Sequence, residues 1–254
     1  MVAIAWNEAF RIVSSRYPFA SIFDAIASPD DLDAIFELER RTDNRRRDEL
    51  GEIALIRPAD RIVGPGSTAI MAAFTHARPS RFSDGTFGVS YAALRRDTAI
   101  CETVFHIAAF YRATHEESAD IDMRVSTATM NGHIDDLSSA PATDPRLDPD
   151  SYVASRAYAQ PLYANDRVDG VLYPSVRDPL RGACLACFRA CTLSASRTHS
   201  YLAYRWNGRA QRIINIFERT SLSGDERGAA RGASGERERV IGDVTDDAAV
   251  NVPV

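Results

Sequence analysis

Apolar residues recur at helical spacing most clearly behind Asp97, where Ile100, Val104, Ile107, Ala108 and Tyr111 form one stripe. A helix is predicted from about Asp97, with Glu102 off the stripe and His106 one turn further on. Ile121, Met123 and Val125 alternate with Asp122, Arg124 and Ser126, predicting a strand from Ile121 to Met130. Residues 131–146 then read as a loop rich in Asp, Ser, Ala and Pro. A helix follows from near Asp148-Pro149 to about Tyr163, then strands at Gly170–Tyr173 and Ala183–Phe188. Ser200–Trp206 and Ala210–Phe217 flank Asn207-Gly208, which predicts a hairpin whose two central residues take positive φ.

The beginning of the chain reads as a helical extension, residues 1–56. Ser28-Pro29-Asp30-Asp31 supplies a polar cap, an early proline and acids at the positive end of the dipole. Leu32, Ile35, Phe36 and Leu38 make its stripe, which ends in the charged run Glu39–Arg47, a solvated face or a docking surface. Thr68–Thr75 reads as a strand, with a helix as the alternative. Beyond Ser221 the chain holds Gly, Ala, Arg, Glu and Asp and no aromatic residue, so residues 221–254 are expected to be a disordered tail. The mixture of helices and strands, closed by an antiparallel hairpin, is an α+β pattern.

Composition narrows the chemistry. The 254 residues carry 30 basic and 35 acidic side chains, a net charge of −5, which disfavours non-specific nucleic-acid binding. Every basic residue is arginine. The lack of lysine excludes a Walker-type phosphate loop, a Schiff-base lysine and a lysine general base, whereas arginine clamps phosphates in bidentate fashion. No apolar run is long enough for a membrane helix, and the first residues lack a basic start and long apolar region, so a cytoplasmic location with reduced cysteines is expected. Cys184, Cys187, Cys191 and His199 are zinc-type ligands, but residues three apart on a strand face opposite sides, so buried thiols and no metal are expected.

Arg81-Phe82-Ser83, Tyr91-Ala92-Ala93, Thr98-Ala99-Ile100-Cys101-Glu102 and Ser175-Val176-Arg177 stand in an order and spacing that resemble the RES-domain family. The likeness covers roughly Arg61 to Phe217, within a catalytic domain set at residues 57–220. It implies an ADP-ribosyltransferase-like fold, NAD as substrate, and a toxin paired with a helix-turn-helix antitoxin. By the same resemblance Arg81, Tyr91 and Glu102 are catalytic, and Arg61, Arg81, Tyr91 and Ser175 bind NAD. Arg61 stands for a family arginine in the first strand, although Asp60-Arg61-Ile62 lacks the usual preceding aromatic. Ser80 likewise replaces a glycine. ADP-ribosylation of a protein and a silent partner-binding module are the other readings, and a homo-oligomer is a candidate assembly under any of them.

Such residues suit the chemistry. Cleaving the nicotinamide–ribose bond builds oxocarbenium character, which a carboxylate such as Glu102 stabilises. Arginines grip a pyrophosphate, and a tyrosine ring offers a face to nicotinamide.

Overall fold

The computed structural model describes residues 1–15, 24, 32, 51–221, 236–246 and 249–251. Three α-helices and nine strands, each with described bounds, form the framework of these residues. β1 (Val2–Ser14) precedes α1 (Ser67–Thr75), β2 (Ser90–Ala93), α2 (Arg96–Thr114) and β3 (Ala119–Asp136). Next come α3 (Val153–Ala164), β4 (Gly170–Pro174), β5 (Ala183–Cys187), β6 (Leu193–Asn207) and β7 (Arg212–Ser221). β8 (Glu236–Asp246) and β9 (Ala249–Asn251) end the chain.

All nine strands join one mixed sheet in the order β1-β2-β5-β4-β3-β6-β7-β8-β9, antiparallel except where β3 meets β4. β1 also pairs with β3 over nearly its whole length, so β1, β2, β5, β4 and β3 close into a ring. β1 meets β2 through the pair Phe10–Ala93. Alternation on β5 separates two cores: Cys184 and Ala186 face one, Leu185 and Cys187 the other. Ile100, Val104 and Ala108 of α2 pack into the first core, and Ile70, Met71 and Phe74 of α1 into the second. Among the described residues, no helix is long and apolar enough to cross a membrane.

Several expectations are corrected. Residues 2–14 are a strand, because Val2, Ile4 and Trp6 alternate and a bulge between Trp6 and Ala9 carries Phe10 and Ile12 to the opposite core. The helix start at Ser28 and the charged run Glu39–Arg47 lie outside the described residues. Thr68–Thr75 belongs to a helix: burial of Ser67, Ile70, Met71, Phe74 and Thr75 follows a 3.6-residue period. Asp24 caps it from a distance, accepting from the Thr68 N–H at 2.8 Å. β3 runs past Met130 to Asp136: unbroken alternation turns Ile121, Met123 and Val125 to the first core and Met130 and Ile134 to the second, so the buried face changes partway along the strand.

The β6–β7 turn spans Gly208–Gln211 rather than two residues, with positive φ at Gln211. Gly208 is instead packed tightly, as a Cβ there would approach Glu116 O to 2.7 Å. The region expected to be a disordered tail contains β8, which pairs along the open edge of β7 and buries Ile241 and Val244. An unpaired sheet edge supplies the backbone partners that composition does not register.

Candidate active site

The loop carrying Arg81 is held from three sides. Tyr91, on β2 opposite Ala186, donates from its hydroxyl to Ser80 Oγ and accepts from the Phe82 N–H, both at 2.9 Å. Two residues of α3 fix the same loop: Ser155 Oγ donates to Arg81 O at 2.6 Å, and Arg156 Nε to Ser80 O at 2.8 Å. Beneath it Phe82 is fully buried and meets the Tyr173 ring edge-on at 5.0 Å. Burial raises the Tyr91 pKa to about 12, so the phenol stays protonated and its hydrogen bonds persist at neutral pH.

Arg81 is 7% exposed, donates to Asp148 O at 2.9 Å, and lies 4.6 Å above the Tyr152 ring centroid. It forms no ion pair among the described residues. A buried guanidinium without a carboxylate partner favours an anionic ligand.

Glu102 projects from the second turn of α2 toward Ser175, whose Oγ donates to Glu102 Oε1 at 2.5 Å. Ser175 Oγ in turn accepts from the backbone N–H groups of Arg177 (3.1 Å) and Asp178 (2.9 Å). With its lone pairs engaged there, the serine has its proton aimed at Glu102. Asp178 anchors this turn to α2 by accepting from Thr98 Oγ1 at 2.7 Å.

Arg81, Tyr91 and Glu102 line one cleft of about 420 Å³, within the range of small-molecule sites. Arg11, His106 and Tyr152 line it as well. Ser175 is fully buried behind Glu102, to which it is hydrogen-bonded, and does not line the cleft. The Tyr91 hydroxyl is likewise committed to protein neighbours, leaving the side chain's other surfaces to face the cleft.

Arg61 is placed away from this cleft. It follows a 3-10 turn, in residues 61–63 without regular structure, donates to Ile56 O at 3.2 Å, and does not line the cleft. The arginine on the first strand is Arg11, which does line the cleft and donates to Ser90 Oγ at 2.9 Å. It forms no ion pair among the described residues, and burial lowers its pKa to about 10, which still leaves it cationic at neutral pH. The signal in the sequence is that Arg11 stands between Phe10 and Ile12 in an alternating run.

Cys184 and Cys187 pack in separate cores, and their thiols are pushed up by burial. Among the described residues no three His, Cys, Asp or Glu side chains gather to hold a metal ion.

These residues fall within a family pattern. The RES domain matches residues 58–207, and the chain belongs to that family. β1, with Arg11, lies before the matched stretch and completes its sheet and cleft. The chain is also similar to the uncharacterized protein y4oC of Sinorhizobium fredii (strain NBRC 101917 / NGR234), 25% identical over 214 residues, 84% of this chain and 88% of that protein.

Proposed function

We propose that this RES-domain protein cleaves the nicotinamide–ribose bond of NAD and is the toxin of a toxin–antitoxin pair, neutralised in the cytoplasm by a helix-turn-helix antitoxin. The observation carrying this reading is one cleft that joins a serine-held carboxylate, Glu102, to two guanidinium groups, Arg11 and Arg81, without carboxylate partners among the described residues. Family membership at the level of the RES domain supports it.

In this mechanism Arg11 and Arg81 hold the pyrophosphate by charge-assisted hydrogen bonds. Tyr91 and Tyr152 offer aromatic surface to the rings. Glu102 receives the ribose hydroxyls and stabilises the positive charge growing on the sugar as nicotinamide leaves. The closed ring β1-β2-β5-β4-β3, with α2 delivering Glu102 beside β2, is read as an ADP-ribosyltransferase-like arrangement. Transfer of ADP-ribose to a protein would begin with the same bond cleavage and differs only in its acceptor.

The test is the NAD content of cells after brief induction of the wild type or of Glu102→Gln. NAD should fall with the wild type alone. Unchanged NAD with both proteins folded and expressed would reject the proposal and favour a silent binding module.

A further inference from the structure

We infer that His106 is the general base of the reaction and that the acceptor it serves is water, which makes the protein an NAD hydrolase. This rests on the NAD-cleaving reading above and adds the identity of the acceptor.

Residues four apart on a helix share a face. Glu102 and His106 stand on successive turns of α2 and line the same cleft. His106 is exposed, so it is open to a molecule entering from solvent, whereas Glu102 is partly buried and engaged by Ser175.

The other groups of the cleft are unsuited to taking a proton at neutral pH. Arg11 and Arg81 are cations. Tyr91 is held protonated and hydrogen-bonded, and burial raises the pKa of both Tyr173 and Cys184 well above their ordinary values. Tyr152 is a phenol stacked beneath Arg81 and Arg156. Glu102 has the task of balancing the sugar's positive charge, and protonating it would remove that balance. His106 is therefore the cleft group suited to taking up a proton near neutrality.

The electrostatic surroundings keep the imidazole lone pair available. Partial desolvation by the cleft lowers the His106 pKa from its ordinary value, and Arg177 and Arg81 act in the same direction while Glu102 opposes them. Arg177 is fixed against this helix, its guanidinium 3.3 Å from the Phe105 ring centroid. The neutral imidazole thus predominates at pH 7.

The step balances. The C1′–N bond breaks and its electron pair leaves with nicotinamide, which departs neutral. A water oxygen bonds to C1′, and the proton it loses passes to a His106 ring nitrogen and then to solvent. The products are ADP-ribose, nicotinamide and one proton. An acceptor that already carries a negative charge, such as azide, needs no base.

The experiment compares full-length wild type with His106→Gln, following ADP-ribose and azide-trapped ADP-ribose with and without added azide from about pH 5 to 8.5, a range chosen to span the histidine titration. His106 is exposed, so the variant should keep the wild-type circular dichroism and melting temperature. The expected result is a loss of hydrolysis of about 100-fold or more in kcat, with KM for NAD little changed and azide trapping retained. Wild-type hydrolysis should also rise with pH to a plateau by about pH 7, and the variant should lose that rise. Equal loss of hydrolysis and azide trapping, or an unaltered pH profile, would overturn the role of His106. Cleavage that requires phosphate would overturn the water acceptor while leaving NAD cleavage standing. Absence of any cleavage by folded wild type would overturn both.

Discussion

Ser175 Oγ donates to Glu102 Oε1 at 2.5 Å while accepting two backbone N–H groups from the turn that follows β4. One buried hydroxyl thus ties the carboxylate of α2 to the end of a strand far away in sequence. The link fixes the side-chain direction of Glu102 and rigidifies the turn at once.

Ser175→Ala removes both effects. Two buried N–H groups lose their acceptor and Glu102 loses its donor. The cost should be about 1–3 kcal/mol of stability, read as a lower denaturation midpoint at unchanged slope. NAD cleavage should fall mainly in kcat, since Ser175 does not reach the ligand. A variant with wild-type stability and kcat would show that the hydrogen bond is not formed.

Tyr91→Phe keeps the ring in the cleft but strips the hydroxyl that holds Ser80 and Phe82. The Phe82 N–H is left without its partner, which should destabilise the protein by about 1–3 kcal/mol and loosen the loop bearing Arg81. KM for NAD should rise more than kcat falls. A variant with unchanged KM would separate loop order from ligand binding.

The two candidate first-strand arginines make opposite predictions. Arg11→Gln should weaken NAD binding by about 10-fold or more, the order expected for a lost charge-assisted contact of 1.5–3 kcal/mol. Arg61→Gln should leave KM and kcat near wild type, because Arg61 does not line the cleft. Steady-state kinetics on the pair decides between them, and the reverse pattern would return the role to Arg61.

Truncation after Ser221 tests the C-terminal strands. β8 buries Ile241 and Val244 in the same core cluster as Ile100 and Val104 of α2. Each such side chain is worth about 1.5–3 kcal/mol, so the shortened protein should melt well below the full chain. An unchanged melting temperature would mean that these strands add nothing to the core.

Local patterns made part of this legible. Arg81, Tyr91 and Glu102 sit on a turn, a strand and a helix contiguous in sequence, so their order and spacing could be read before the fold was known. The helix stripe from Ile100 and the short strands β4 and β5 are equally local. Arg11 escaped because it joins the cleft only through the β1–β3 pairing, from outside the region that resembles the family. β8 escaped because its strand state depends on the free edge of β7. A bulge in β1 and a change of covered face along β3 hid the remaining alternation, since each switches the buried set partway along a strand. Ser175 was recognisable as a residue, but its work behind Glu102 depends on a contact across 73 positions of the chain.

The most direct measurement is nicotinamide release from NAD by the purified protein, wild type against Glu102→Gln, with circular dichroism to establish that both are folded. Gln keeps the shape and an oxygen for Ser175 but has no negative charge. Wild type should release nicotinamide, and the variant should be slower by at least about 100-fold. Equal release by the two folded proteins would contradict the placement of Glu102 at the reacting sugar, and no release by either would contradict NAD cleavage itself.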